Sequence, residues 1–164
     1  MTDNYNMQVI ETALRILYIL DTLEQAMSFD KILYVDFMIS YLNDFDVTQK
    51  NLLPPSPFRK EELYIRNKVI LNAINYLLIR KLIDILFKKN GIYYISNNNT
   101  KMFTDLINNS YKKQLLEQLA WIKINISNKS EIEIKQYIVS TLASTAPEYI
   151  NYGLINKELF NYVK

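Results

Sequence analysis

The sequence predicts a mainly α-helical protein in which a winged-helix domain, three helices plus a β-hairpin, precedes a C-terminal helical segment. Apolar residues recur at helical spacing along most of the chain. Two strand-like runs flank Asn90-Gly91, after three helical segments, which is the order of a winged helix. The chain therefore divides into a winged-helix domain at 6–96, a helical extension at 97–146 and an apolar tail at 147–164.

The first two helices are predicted from their apolar faces. One runs from Asn6 to about Leu23, and its face comprises Ile10, Leu14, Leu17 and Leu20. The second runs to Asn43 and has Ser28 as its candidate N-cap. Its apolar stripe comprises Ile32, Val35, Ile39 and Leu42.

The third helix follows a proline-rich loop. Glu61 and Glu62 suit its first turn, and Arg80 and Lys81 suit its end, because the helix dipole favours these charges there. Its apolar face comprises Leu63, Ile70, Ile74, Leu77 and Leu78.

The hairpin after this helix is expected to pair residues 83–87 with 92–95. Asn90 and Gly91 both accept the positive φ of a type I′ turn, so the turn is placed on them. Side chains alternate along a strand, so one of Tyr93 and Tyr94 should pack on the core while the other points out.

Three helices are predicted beyond the hairpin. The first has Met102, Phe103, Leu106 and Ile107 as its apolar positions. The second, Tyr111 to Ile126, carries Leu115, Leu119, Ile122 and Ile126 in register. The third runs to Leu142 and begins at a capping box formed by Ser130 and Glu133.

The composition excludes several classes of function. The chain has no cysteine and no histidine, which removes disulfides and thiolate or imidazole metal sites. Two glycines are too few for a phosphate-cradling loop, and no cofactor is expected. No apolar run is long enough to span a membrane, and no signal peptide is visible, so a cytoplasmic location is expected.

Asp36 stands out because it lies within the apolar run KILYVDFMISYL. A buried carboxylate there needs a cationic partner or a raised pKa, and Arg59 and Arg66 are the candidate partners. An acid–base or metal role is the functional interpretation, and a structural carboxylate is the favoured one. Asp36, Arg59 and the turn residues Asn90 and Gly91 are therefore predicted to be structural.

Basic residues of the third helix and the hairpin could contact nucleic acid. The candidates are Arg66, Lys68, Arg80, Lys88 and Lys89. The alternative is a solvated helix face. A net charge of +2, from 19 basic and 17 acidic residues, is small for a protein that acts mainly on nucleic acid.

The tail is unusually apolar for a chain terminus. Its candidate partner-binding residues are Tyr149, Ile150, Leu154, Ile155, Leu159 and Phe160. Termini exposed to solvent are usually polar, so the tail should be covered, either by a partner or by the chain's own late helices.

The order of several segments resembles the middle component of bacterial three-component ABC-ATPase conflict systems, in particular the Lamassu-type anti-phage and anti-plasmid middle subunit. The similarity covers most of residues 10–126. It is carried by ALRILYILD from Ala13, KILYVD from Lys31, LPPSPFR from Leu53, GIYY from Gly91 and the pair Ala120-Trp121.

This resemblance implies a non-enzymatic assembly subunit. Its partners would be an SMC/Rad50-like ABC ATPase and an effector, often a nuclease, with DNA contacted mainly through the complex. The alternative is a stand-alone winged-helix DNA-binding transcriptional regulator, which should bind DNA in a steeply salt-dependent manner. An enzyme is disfavoured by the missing histidine, cysteine and glycine-rich loops.

Overall fold

The fold is mainly helical, as a computed structural model of the chain shows for residues 6–54, 56 and 58–145. These residues form six α-helices and a three-stranded antiparallel sheet. The elements are α1 (Met7–Leu23), β1 (Met27–Ser28), α2 (Phe29–Ser40), α3 (Arg59–Ile79), β2 (Ile83–Lys88), β3 (Gly91–Ser96), α4 (Asn98–Leu106), α5 (Ser110–Asn125) and α6 (Glu131–Thr145). The predicted winged-helix arrangement followed by C-terminal helices is confirmed.

The first two helices begin at side-chain caps. The Asn6 carboxamide accepts a hydrogen bond from the Val9 amide at 3.0 Å, and the Ser28 hydroxyl accepts one from the Lys31 amide at 3.2 Å. Such caps satisfy amides that have no partner within the helix. Ser28 is thus the N-cap that the sequence predicted.

The sheet contains one strand that the sequence did not reveal. β1 has only two residues, and it pairs with β3 through Met27 opposite Tyr94 and Ser28 opposite Tyr93. The strand order is β1-β3-β2, so β3 is central and β2 lies at an edge. The predicted pairing of the two hairpin strands is confirmed by Ile83 opposite Ser96.

The hairpin turn lies one residue earlier than predicted. Lys88 pairs with Gly91, which leaves Lys89 and Asn90 as the turn residues. Asn90 has no positive φ, so the expected type I′ turn, which needs two such residues, does not form. Gly91 alone takes a positive φ, 139°, as the first residue of β3. Glycine adopts this conformation without a steric penalty because it has no Cβ.

Helix α4 buries a face different from the predicted one. Met102, Phe103 and Leu106 are exposed, whereas Thr100 and Thr104 are buried. The Thr100 hydroxyl donates to the Leu82 carbonyl and the Thr104 hydroxyl donates to Asp21 at 2.8 Å. These residues satisfy polar groups beneath the helix, which methyl and phenyl groups would leave unpaired.

The C-terminal helices share a core with the winged helix. Leu115, Leu119 and Ile122 of α5 are buried, as predicted, and α5 packs on α1 and α2. The predicted capping box of α6 is present, since the Ser130 amide donates to the Glu133 carboxylate at 2.8 Å. Helix α6 packs along α2, and its residues join the same apolar cluster as those of α1 and α3. The boundary predicted between residues 96 and 97 stays a prediction.

No helix in the described part of the chain combines the length and apolar character that a membrane span requires.

Replacing Thr100 by Val should lower the free energy of unfolding by about 1–3 kcal/mol, because the half-buried Leu82 carbonyl would lose its donor and the α4 cap would lose an acceptor. Urea denaturation of the full chain measures this change. Thr48→Val is the matched control: it removes a hydroxyl that donates to Asp46 at 2.6 Å, but this hydrogen bond is exposed to water, so its loss should cost less than about 1 kcal/mol. Equal losses in the two variants would contradict the proposed anchoring of α4.

Candidate interaction surface

A buried group of charged side chains joins the first three helices. Asp36 of α2 has no exposed surface. Its two carboxylate oxygens accept hydrogen bonds from Arg15 Nε of α1 at 2.7 Å and from Arg66 Nη1 of α3 at 2.6 Å. We call Arg15, Asp36 and Arg66 the buried charge cluster.

Polar neighbours satisfy much of the remaining hydrogen-bonding capacity of the two guanidinium groups. Arg15 donates to the Thr12 hydroxyl at 2.9 Å and to the Glu11 carboxylate at 3.1 Å. Arg66 donates to the Ser40 hydroxyl at 3.0 Å and lies 3.6 Å from the Glu62 carboxylate. Arg66 Nε has no hydrogen-bond partner among the described residues. The two positive charges therefore lie beside three carboxylates, of which Asp36 is fully buried and the other two are partly exposed.

Opposing effects set the ionisation of the cluster. Burial alone would raise the pKa of Asp36, but the charges and hydrogen bonds of Arg15 and Arg66 outweigh it and hold the pKa below its usual value. Burial likewise opposes the charge on Arg15, and Asp36 outweighs it, so the pKa of Arg15 is raised. Asp36 is thus a carboxylate at neutral pH, with both oxygens engaged.

The arginines predicted as partners for Asp36 divide between two carboxylates. Arg66 binds Asp36, whereas Arg59 pairs with Asp44. Both guanidinium groups also lie over the Tyr41 ring. The distance from Cζ to the ring centroid is 5.1 Å for Arg59 and 5.5 Å for Arg66. Arg59 thereby ties the start of α3 to the turn that follows α2.

Arg15 was not predicted as a partner for Asp36. The available signal was a single arginine among the apolar residues of α1, with Glu11 one helical turn before it. An arginine at such a position requires a buried acceptor, and Asp36 is the carboxylate within an apolar run.

A cavity of about 230 Å³ lies beside the buried charge cluster. It is lined by Gln8, Glu11, Thr12, Arg15, Asp36, Leu53, Arg66, Val69 and Ile70. Both oxygens of Asp36 are taken by guanidinium groups, so this carboxylate is not placed to accept a substrate proton. The described residues also contain no group of three acidic side chains that could hold a metal ion. The geometry therefore assigns the cluster to holding the helices together.

The outer side of α3 carries four large apolar side chains among polar ones such as Lys68 and Asn75. Tyr64, Ile65, Leu71 and Ile79 are 72%, 59%, 47% and 64% exposed, and helical periodicity places them on one side of the helix. The opposite side buries Ile70, Ile74 and Leu77 in the core. We call the four exposed residues the outer face of α3. Contiguous exposed apolar surface rimmed by polar residues is a feature of protein interaction sites.

The predicted nucleic-acid contacts are distributed unevenly. Arg66 is buried against Asp36 and does not face solvent. Lys68, Arg80, Lys88 and Lys89 are exposed. The Arg80 guanidinium lies 3.6 Å from the centroid of the Tyr76 ring, and Lys88 Nζ lies 4.5 Å from that of Tyr93. The exposed cations are thus spread along α3 and the hairpin instead of forming one dense patch.

The hairpin also exposes apolar side chains. Tyr94 packs against the core, whereas Tyr93 lies on the opposite face beside Lys88, as the alternation predicted. Beyond Tyr94, towards the turn, Phe87 and Ile92 are exposed. The predicted partner-binding residues of the tail, from Tyr149 to Phe160, lie outside the described part of the chain.

A family model described as MC2, ABC-three component (ABC-3C) system Middle Component 2, matches residues 5–148. No curated protein and no solved structure matches the chain.

Replacing Asp36 by Asn should destabilise the protein by about 3–5 kcal/mol, because two buried guanidinium groups would lose their shared counter-charge. Chemical denaturation of the full chain measures the loss. Asp105→Asn makes the same chemical change at an exposed site on α4 and should cost less than about 0.5 kcal/mol. A loss for Asp36→Asn no larger than for this control would show that the cluster does not hold the helices.

The contribution of Asp36 to stability should disappear in acid. Because its folded pKa is below the unfolded value of about 4, the stabilisation is present above that value and is lost as pH falls through the folded pKa. The difference in unfolding free energy between the natural chain and Asp36→Asn should therefore be constant from about pH 7 to 5 and shrink below about pH 4. Urea titrations at a series of pH values test this, and a difference that grew in acid would contradict it.

Proposed function

The chain belongs to the MC2 family of middle components of ABC-three component systems, and we propose that it is the subunit that holds the other components of such a system together. In this proposal it bridges an SMC/Rad50-like ABC ATPase and an effector subunit. The system would act in defence against phages or plasmids, as Lamassu-type systems do. The subunit would perform no catalytic step itself.

The observation that carries the proposal is the apolar outer face of α3. In a DNA-reading winged helix, the corresponding helix presents polar and basic side chains to bases and phosphates. Here the exposed side carries Tyr64, Ile65, Leu71 and Ile79, and the polar residues among them include one cation, Lys68, and Asn75. Tyrosine and large aliphatic residues are suited to the desolvated centre of a protein–protein interface. The face therefore favours a protein partner over a DNA duplex.

The buried charge cluster supports this role by fixing the helix that carries the face. Arg66 lies on the inner side of α3, one residue after Ile65, and is bound to Asp36 and Ser40. Arg59 pairs with Asp44 at the beginning of the same helix. A surface presented on a rigid element loses little conformational entropy when it binds.

The apolar tail is proposed as a second docking segment. Its residues Tyr149, Ile150, Leu154, Ile155, Leu159 and Phe160 would cover apolar surface on a partner. A subunit with two separate contact regions, α3 and the tail, could engage two different proteins at once. DNA would be contacted mainly through the assembled complex, with Lys68, Arg80, Lys88 and Lys89 as the candidate contacts.

Capture of the partner subunits tests the proposal. The full chain is expressed with the ATPase and effector encoded beside it, and each tagged partner is used to pull it down. Ile65→Glu should weaken capture by one partner at least about tenfold, since a charge would enter a desolvated interface. Ile124→Glu is the matched control, because Ile124 is also exposed, to 80% compared with 59% for Ile65, but lies on α5, and its replacement should leave capture unchanged.

Thermal stability of both variants separates binding from folding. Equal melting temperatures with reduced capture only for Ile65→Glu would support the outer face of α3 as the interface. A chain ending at Ala146 tests the tail in the same assay, and loss of capture by the other partner would support the bridging role. Unchanged capture by Ile65→Glu and by the shortened chain would contradict the proposal.

A further inference from the structure

The outer edge of β2 is unpaired in the described part of the chain. β3 lies between β1 and β2, so each of β3's edges has a neighbour, whereas β2 has one only on its inner side. The closing pair of a two-residue hairpin is hydrogen-bonded, and such pairs alternate along an antiparallel ladder. Lys88, Leu86 and Asp84 therefore bond to β3. The amides and carbonyls of Ile85 and Phe87 face the open edge.

Most of the features that usually keep an edge strand from pairing are missing from β2. The strand has six residues, it contains no proline and its ladder with β3 is continuous, so it has no bulge. Ile85 and Leu86 are each 38% exposed and Phe87 is 79% exposed. Natural proteins usually shorten, bend or charge such edges, because an exposed edge pairs with other strands. Only the charges of Asp84 and Lys88 remain as protection.

Those two charges are placed symmetrically about Leu86. We propose that β2 pairs antiparallel with β2 of a second copy of this chain, about a two-fold axis at Leu86. In this register Asp84 of each copy lies opposite Lys88 of the other, and Ile85 lies opposite Phe87. The occupant of the edge is thus inferred to be identical to the strand itself, because its charge pattern is self-complementary.

The backbone selects the same register. Ile85 and Phe87 carry the outward amides and carbonyls, so they must pair with each other or with themselves. Moving the axis to Ile85 places Asp84 opposite Leu86, and moving it to Phe87 places Lys88 opposite Leu86. Both alternatives leave the charges without an opposite partner. Of these three axes, only the one at Leu86 both pairs the outward amides and carbonyls of Ile85 with those of Phe87 and places each Asp84 opposite a Lys88.

Charge reversal tests the proposal on the full chain, with the association state measured by analytical ultracentrifugation over a range of concentrations. The natural chain should form dimers in a concentration-dependent manner. Asp84→Lys and Lys88→Asp should each weaken dimerisation at least about tenfold, because two attractive pairs become two repulsive ones. The double variant Asp84→Lys/Lys88→Asp should dimerise as the natural chain does.

Mixing the two single variants provides a second test. The Asp84→Lys variant has lysine at positions 84 and 88, and the Lys88→Asp variant has aspartate at both. A heterodimer therefore has two attractive pairs, and each homodimer has none. Dimers should appear on mixing at concentrations at which each variant alone is mostly monomeric. Residue 92, also exposed on the hairpin, supplies the control: Ile92→Lys should leave the dimer intact, since Ile92 lies in β3 away from the open edge.

Phe87→Pro tests the backbone contacts. It removes an outward amide while leaving the inward ladder to β3, so the chain should fold and lose the dimer. A natural chain that stays monomeric, or single reversals that dimerise as it does, would overturn the proposal. If the natural chain is monomeric and Phe87→Pro abolishes capture by the ATPase or effector, the edge receives a partner's strand instead. Capture of those partners through α3 is measured separately, so failure of the dimer leaves the proposed function standing.

Discussion

The arrangement of the first three helices depends on one buried carboxylate. Arg15, Asp36 and Arg66 come from α1, α2 and α3, so each helix supplies a charge that the others require. Transferring ions out of water costs several kcal/mol each, so such a cluster adds little net stability compared with apolar packing. It adds specificity, because guanidinium N–H groups and carboxylate oxygens bond only in a narrow range of orientations.

This specificity matters most for α3, whose apolar residues lie on two sides. Ile70, Ile74 and Leu77 face the core, while Tyr64, Ile65 and Leu71 face solvent. Burying either side would remove large apolar side chains from water, but burying the outer side would also remove Lys68 and Asn75 from it. Arg66 acts in the same direction, because rotating the helix would leave Asp36 with one cation. The same bond that orders the interior therefore keeps an apolar surface outside, at a cost in solubility that a partner-binding role explains.

The elements that could be predicted from the sequence are those set by local features such as apolar periodicity, helix caps and turn residues. Helices α1, α5 and α6 followed from periodicity and caps, and the hairpin followed from two strand-like runs around a turn signal. The features that could not be predicted are those set by contacts between residues distant in the sequence. β1 is too short to show a period, and it exists because β3 offers it an edge. Helix α4 buries threonines because a carbonyl and a carboxylate lie beneath it. Arg15 was missed because its partner lies 21 residues away on another helix.

The two proposed surfaces are linked by their geometry. Helix α3 ends at Ile79 and β2 begins at Ile83, so the outer face of α3 leads directly into the strand that carries the open edge. A dimer joined at β2 would carry two such faces, related by the two-fold axis at Leu86. A partner with its own two-fold symmetry could then engage both faces together. The second contact would be intramolecular, so a modest affinity at each face would give a much tighter complex without any additional interface.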